Sequence, residues 1–479
     1  MRSSCLFLRR SNWQQCCARL VYLSSIGVAM AGVILGPALV KAQTAPTTPP
    51  PARPSTTDEA SPNQGAESSE KAAGDFNLTD NLASFDQVWS TIDTTHWDED
   101  IVGQTWDDAK AKYRPQVEAA KSIDEVRAIL GSMIDDMGLS HFGIIPASSY
   151  DVVGEMGGSD EADAGLTFRA TDGGVVVSEV RPDSPASRAD VKPGWLVETI
   201  GGKSVAELSD KIRSAAHGPM RFETLAGLVL AKIAGGTVGG KTKFVFRDGD
   251  DQTKELDLEL EASPGQSVQF GHLPPIRVHT TSETLPGNIG YYRFNAFLDP
   301  VRVMAEFRES VHDTNHHGGM VIDLRGNIGG LAGMTMGMAS EFSDQQTSLG
   351  LMTMKGAELK FFVNANLDPV RGPVAVLIDE CSISSAEIFS GGLQDLKLAR
   401  LFGARSAGLA LPSIVVKLPN GDGFQYAIAN YHSASGKSLE MDGVTPDEII
   451  TLSRELLLHD PDPVLTRALE WIKHQPNKK

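Results

Sequence analysis

Three short stretches hold residue types suited to nucleophilic chemistry. The first is Ser382-Ile383-Ser384-Ser385-Ala386-Glu387-Ile388-Phe389. It follows the apolar run GPVAVLIDE and opens SSAEIFSGGLQDL, whose apolar spacing predicts a helix. At a strand-to-helix junction, backbone N–H groups lack partners and the helix dipole favours negative charge. A serine there can attack a carbonyl while neighbouring N–H groups stabilise the oxyanion. Ser384 or Ser385 would equally serve as a plain helix N-cap, and local pattern leaves both readings open. The second stretch is Asp323-Leu324-Arg325-Gly326-Asn327-Ile328-Gly329-Gly330. Its glycines let backbone N–H groups approach a ligand without Cβ obstruction, or they simply make a turn. It lacks the phosphate-loop pattern, so it is not read as a nucleotide site. The third is Ser140-His141. Serine is a weak nucleophile until a base takes its proton, and histidine is the usual base. The chain has 11 histidines, so one alone carries little weight; His432 is a reserve candidate. Cys381, three residues before Ser384, reads as small buried packing.

The elements that must position these residues fall into three groups. Residues 76–150 show apolar residues at three- and four-residue spacing, in FDQVWSTIDTTHW, WDDAKAKYRPQVEAA and SIDEVRAILGSMIDDM, and read as a helical domain. Ser122 followed by Glu125 is a capping-box pattern. Residues 155–262 read as short strands separated by turns (GLTFRA, GGVVVSEV, GWLVETIGG, KTKFVFRD, KELDLELEA), with one short helix at 185–189. Residues 263–479 alternate strands and helices, which predicts an α/β core with parallel pairing. The chain closes on VLTRALEWIKH, an amphipathic helix with Leu465, Leu469 and Ile472 on one face.

The motifs, taken in order, resemble the carboxy-terminal processing protease and tricorn-core family of serine peptidases. SISSAEIFSGGLQD resembles the family's nucleophile segment, DLRGNIGG its strand-plus-glycine segment, GLSHFGI the Ser-His segment of the tricorn branch, and LEMDGVTPDEII its late Glu segment. The resemblance runs from about Phe76 to the carboxy terminus. It implies a multidomain α/β protein with a crotonase/Clp-protease-like ββα core, an amino-terminal helical domain and a PDZ β-domain. It points to Ser384 as nucleophile, because that serine lies three residues before Glu387. The processing branch places a lysine base 25 residues after the nucleophile, where this chain has Leu409. Leucine cannot act as a base. Asp395 matches an acidic position of that branch without restoring one. Ser140, His141, Ser384 and Glu440 instead match the Ser-His-Ser-Glu tetrad of the tricorn branch. The resemblance thus implies His141 as general base and acid, Ser140 as its orienter, and Glu440 as the group that holds or polarises Ser140. Backbone N–H groups of Gly329 or Gly330, with Ser385, would form the oxyanion hole. An imidazole base implies activity that rises through about pH 6.5 and then levels off. Gly165-Leu166-Thr167-Phe168 resembles the carboxylate-binding loop of a PDZ domain, which implies substrates or partners with free carboxy termini. The contrasting expectation, from a different class, is a non-catalytic peptide-binding or scaffold protein that keeps the fold.

Composition narrows the partners. The formal net charge is −18, which argues against a nucleic-acid backbone as ligand. No His/Cys/Glu grouping has metal-ligand spacing, so neither a metal nor an organic cofactor is implied. Residues 1–19 are basic (Arg2, Arg9, Arg10, Arg19), residues 20–40 are almost wholly apolar, and Val40-Lys41-Ala42 offers a small-residue cleavage site. Residues 1–42 thus read as an export signal, or, uncleaved, as a membrane anchor through residues 20–40. Either implies an exported protein, periplasmic or anchored and facing the cell envelope. Residues 43–75 lack Leu, Ile, Val and aromatic side chains, and read as a disordered Pro/Thr/Ser-rich linker. Cys5, Cys16 and Cys17 fall in the leader, which leaves Cys381 alone and excludes an intrachain disulfide framework in the mature chain.

Overall fold

The computed structural model describes residues 76–151, 161–216, 220–313 and 318–475. The leader and the linker lie outside the described residues. Among those described, no helix is long and apolar enough to cross a membrane.

Helices Leu78–Thr95, Gln104–Ala119 and Ile123–Asp135 follow the apolar spacing of the first segment. Ser122 Oγ accepts the Glu125 N–H at 3.2 Å. The Glu125 carboxylate accepts the Lys121 N–H, one residue before the capping-box position. These helices do not close a core by themselves. Phe85, Val88, Val126, Leu130 and Met133 pack with Leu418, Phe424 and Tyr426 from the hairpin Ser413–Lys417 and Gly423–Ala427. The strand Gly143–Ile145 then pairs antiparallel with that hairpin, Gly143 opposite Gln425. Asp422, whose side chain is wholly buried, accepts Arg127 Nη2 at 2.7 Å and Nε at 3.0 Å, and the Ala147 N–H at 2.8 Å. Charge and backbone pairing together fix the Ser140-His141 stretch against the core.

The insert is a sheet in the order Leu166–Thr171, Gly174–Val180, Leu196–Ile200, Lys241–Arg247, Thr253–Glu259. Alternation along Lys241–Arg247 turns Thr242, Phe244 and Phe246 inward. Two helices, Val205–Ala215 and Phe222–Ala234, differ from the expectation of strands plus one short helix. The second, FETLAGLVLAKIA, is apolar on nearly every side and buried at Thr224, Leu225, Ala226, Gly227, Val229 and Leu230. Its middle two turns show little periodicity because they are covered on most sides, while Glu223, Ala231 and Lys232 near its ends are exposed.

In the core, six strands run in the order Thr280–Leu285, Ile289–Phe294, Gly319–Asp323, Val374–Ile378, Arg400–Gly403, Glu448–Ile449. The first pair is antiparallel and the other four pairs are parallel. Gly319–Asp323 and Val374–Ile378 are buried at every position, as parallel strands covered on both faces must be. Helices Pro300–Val311, Ala332–Ser340 and Ser385–Asp395 contribute to the main apolar cluster on one face. Pro463–Lys473 covers the other face through Val464, Ala468 and Ile472, with Leu465 and Leu469 at its margin. The glycine turn leaves the carboxyl end of one central strand, and the nucleophile segment leaves that of its neighbour. Ligands favour this crevice in open α/β sheets.

Removing one partner of a buried ion pair typically costs about 3–5 kcal/mol. Asp422→Ala should therefore lower the urea midpoint of the whole chain markedly. Asp422→Asn, which keeps one acceptor, should cost less; equal midpoints for wild type and Asp422→Ala would disprove the tether.

Candidate active site

The three serines of the nucleophile segment have different fates. Ser382 Oγ donates to Leu324 O at 2.8 Å and accepts the Asp379 N–H at 3.0 Å. Ser385 Oγ donates to Gly330 O at 2.7 Å. Ser384 Oγ is buried and has no hydrogen-bond partner. The helix-cap reading of Ser384 therefore fails at the side chain, although its position is that of a cap. Its backbone is left-handed, φ 58°, ψ −116°. A non-glycine residue held there stores about 1–3 kcal/mol, and such strain gathers at functional sites.

What holds Ser384 in that conformation is Glu387, one helical turn on and wholly buried. Its Oε2 accepts the N–H groups of Ser384 and Leu409, both at 3.0 Å. Its Oε1 accepts Ser406 Oγ at 2.6 Å and the Gly408 N–H at 2.7 Å. Burial raises the Glu387 pKa, and these donors oppose the rise.

Of the three expected oxyanion donors, the Gly329 N–H donates to Asn327 Oδ1 at 2.9 Å. That corrects the expectation for Gly329: its N–H is occupied. Its role is spatial. A Cβ at Gly329 would lie 2.7 Å from Ser384 Cβ and 2.8 Å from Ile383 O, so only glycine fits. The N–H groups of Gly330 and Ser385 have no acceptor among the described residues.

The base side is a hydrogen-bonded chain. The Ser140 N–H donates to Glu440 Oε1 at 2.9 Å, and Ser140 Oγ donates to Glu440 Oε2 at 2.9 Å. Ser140 Oγ also lies 2.7 Å from His141 Nδ1. Because the single hydroxyl proton goes to the carboxylate, the Ser140 oxygen must accept from Nδ1–H. That tautomer leaves Nε2 as a bare lone pair. His141 Nε2 is buried and has no hydrogen-bond partner. His141, like Ser384, is left-handed, with φ 63°.

The structure thus joins Ser140, His141 and Glu440 directly, while Ser384 Oγ and His141 Nε2 make no hydrogen bond to each other. Backbone connects the two halves: Leu409 O accepts the Ser384 N–H at 2.9 Å, and the next N–H, that of Ala410, donates to Glu440 Oε2 at 3.1 Å. Lys397, at the far end of the nucleophile helix, is exposed. His432 lies in a second sheet opposite Leu351.

Electrostatics alter the expected pH behaviour. Burial pushes His141 well below its usual 6.5, so its protonation does not set a limb near that value. Burial pushes Glu440 up to about 7, against the donors from Ser140 and Ala410. Burial likewise pushes the Cys381 thiol up to about 12, which leaves it no thiolate to use. No metal-holding group of His, Cys, Asp and Glu exists among the described residues.

The insert presses on the back of this site. Arg169 of its first long strand forms a buried ion pair with Asp379. Asp379 in turn accepts the N–H groups of Gly326, at 2.9 Å, and Cys381, at 3.0 Å. The helix Phe222–Ala234 follows Arg221, which donates to Ser406 O and Ala407 O. Thr224 Oγ1 donates to Glu380 O at 2.7 Å. In the expected carboxylate loop, the Gly165 N–H donates to Asp163 Oδ1 at 2.7 Å, so in this conformation it is occupied. Leu166 and Thr167 pair with Val180 and Glu179, and Phe168 is buried in the insert's own core.

Sequence reading did not find Glu387 as the organiser, nor Asp379, Ser406, Arg169 or Arg221. The Ser-x-x-Glu spacing at 384–387 was the available signal, and its local meaning is only a cap.

Residues 288–450 match the model of Peptidase family S41, and residues 79–135 that of the Tricorn protease C1 domain. The chain carries a domain of peptidase family S41. It is a serine-type peptidase, which displaces the non-catalytic scaffold as a reading. It is similar to the chloroplastic C-terminal processing peptidase of Tetradesmus obliquus, 24% identical over 399 residues, covering 81% of this chain and 80% of the relative. The carboxyl-terminal-processing protease of Synechocystis sp. is 23% identical, covering 76% of this chain and 79% of the relative. Among solved structures, the photosystem II D1 C-terminal processing protease aligns with a TM-score of 0.51 at 20% identity, over 83% of this chain and 99% of that one. Mature CPAF aligns with a TM-score of 0.54 at 14% identity, over 83% and 96%. At those identities the likeness concerns the fold.

Glu387→Gln turns an amide NH₂ toward N–H donors. Leaving a buried donor unsatisfied costs about 1–3 kcal/mol. The variant should unfold at lower urea and should label at Ser384 with a fluorophosphonate much more slowly than wild type. Unchanged labelling kinetics would show that the carboxylate does not hold the nucleophile.

Proposed function

We propose that this chain is a carboxyl-terminal-processing serine endopeptidase that cleaves exported proteins through an acyl-enzyme on Ser384. The observation that carries the reading is the pair of buried, unpartnered atoms, Ser384 Oγ and His141 Nε2, each on a left-handed residue. Ser384 Oγ attacks the scissile carbonyl carbon while His141 Nε2 takes its proton. The oxyanion accepts the N–H groups of Gly330 and Ser385. The tetrahedral adduct then collapses, the C–N bond breaks, and Nε2–H gives its proton to the leaving amine. Water repeats the sequence on the ester, returning the proton to Ser384. Ser140 and Glu440 position the imidazole and keep its proton on Nδ1.

In the same reading residues 76–150 are a helical domain, residues 155–262 a PDZ domain that receives peptide carboxy termini, and residues 263–479 a crotonase/Clp-like ββα core. Support for the PDZ reading comes from the left-handed Gly165 and from Leu166–Thr171 at the sheet edge beside a helix. Residues 1–42 export the protein or anchor it to the cell envelope. Ser384 is wholly buried, so a polypeptide can reach it only after part of the surrounding structure moves. The conformation described is a closed one.

The pH dependence follows from Glu440. Below about pH 7 its carboxyl is protonated. The acid proton then goes to Ser140 Oγ, the Ser140 proton goes to Nδ1, and Nε2 carries the hydrogen and cannot accept another. Above about 7 the carboxylate restores the bare Nε2. Activity on unfolded casein should rise through about pH 7 and level off. Glu440→Gln should abolish that limb; if the limb survives at the same pH, Glu440 does not control the tautomer.

His141→Ala should lower kcat by roughly the 10⁴- to 10⁶-fold seen on loss of a triad member. Fluorophosphonate should label Ser384 in the wild type and no residue in Ser384→Ala. Near wild-type kcat in His141→Ala, with Ser384→Ala inactive, would require a different base.

A further inference from the structure

Beside the nucleophile, Ile383, Ala407 and Leu409 form a small buried apolar cluster apart from the main core. It belongs to the machinery by its backbone: Ile383 precedes Ser384, the Ala407 N–H donates to Ser382 O at 3.0 Å, and Leu409 O accepts the Ser384 N–H at 2.9 Å. What covers it comes from the insert. Met220 and Leu228, both half-buried, pack against it. Leu228 lies on the helix anchored by Thr224, and Met220 precedes the Arg221 that grips residues 406 and 407. Gly227 on that helix sits so close that a Cβ would lie 2.8 Å from Cys381 Sγ.

A substrate must reach the buried Ser384, and the insert residues Met220 and Leu228 cover the cluster formed by the residues next to it in the chain and in its hydrogen bonding. Lifting that cover bares an apolar surface of three side chains tied by backbone to the Ser382–Ser384 turn. We propose that Ile383, Ala407 and Leu409 form the subsite for an apolar side chain adjacent to the scissile bond, and that Met220 and Leu228 occupy it as stand-ins when no substrate is bound. The occupant is an aliphatic residue of the substrate. The cluster itself offers no polar side chain, and its present occupants are a methionine and a leucine. A charged residue there would lose its hydration without gaining a partner. Leu409 thereby acquires a specificity role at the very position where the related branch carries a lysine.

The inference rests on Ser384 as the nucleophile, and the test separates the two. Full-length enzyme digests unfolded β-casein, cleavage positions are read by mass spectrometry, and fluorophosphonate labelling of Ser384 is followed in parallel. One of the two positions flanking the cleaved bond should favour Leu, Met and Ile over Asp and Lys by at least about 100-fold, within the range a matched pocket provides. Leu409→Ala should move that preference toward Phe, and Leu409→Phe toward Ala. Met220→Ala, which thins the cover and leaves the subsite intact, should lower KM several-fold with the preference unchanged. If either Leu409 variant does not fold, unchanged KM in both Met220→Ala and Leu228→Ala overturns the proposal. Variants that label at Ser384 yet cut with the wild-type preference also overturn it. Absence of labelling in the wild type would instead overturn Ser384 itself.

Discussion

The Glu387 carboxylate is the constraint on which the site depends. It is buried without a counter-ion in contact, and four donors from two separate stretches converge on it. Only an acceptor-only group can take four donors, which excludes glutamine and any hydroxyl. Burying such a charge is costly unless it is fully hydrogen-bonded, and charge-assisted bonds to N–H groups are the strong kind. By drawing the Ser384 N–H inward, the carboxylate helps hold the left-handed turn that leaves Oγ without a structural duty.

The same strip of chain ties the second carboxylate to the first. Consecutive N–H groups, those of Leu409 and Ala410, go to Glu387 and Glu440 respectively. The proposed nucleophile and base are thereby referenced to one short backbone segment, although Ser384 and His141 lie far apart in the sequence. The two charges also repel, and Glu387 adds to the burial that raises Glu440. Glu440 consequently titrates where its protonation state decides the histidine tautomer, whereas His141, desolvated, stays neutral. The pH sensitivity expected of an imidazole is transferred to a carboxylate one hydroxyl away.

Several features were legible because they are local. Helix periodicity in 78–135, the buried runs at 319–323 and 374–378, and the short helix at 185–188 each follow from spacing or composition within a few residues. Ser140, His141 and Glu440, matched as motifs, do meet in a hydrogen-bonded chain. The helix Phe222–Ala234 escaped because its central turns, Thr224 to Leu230, are apolar and buried on most sides and so lack the polar face that periodicity needs. Glu387 escaped as an organiser because its partners at 406–409 are distant in sequence, whereas the occupied Gly329 N–H had a local signal, the Asn327 side chain two residues earlier in an Asx turn. Sequence reads what a residue offers its neighbours along the chain; it is silent on which remote group claims an N–H.

Leucine at position 409 has a consequence that runs through the whole fold. With a lysine there, base and nucleophile would share one unit and be positioned together. Leu409 is instead packed with Ile383 and Ala407, and the proposed base is residue 141, at the exit of the helical segment. Its place is then set by the pairing of Gly143–Ile145 with Gly423–Ala427 and by the Arg127–Asp422 pair. On the proposed mechanism a segment that adds no strand to the central sheet is indispensable to the chemistry, because it carries the only hydrogen-bonded histidine that meets Glu440 among the described residues. On the proposed mechanism, docking of the helices onto the core also places the base of the proton path. A chain that folds its sheet but fails to dock its amino-terminal helices would carry a correctly strained Ser384 with no base to activate it.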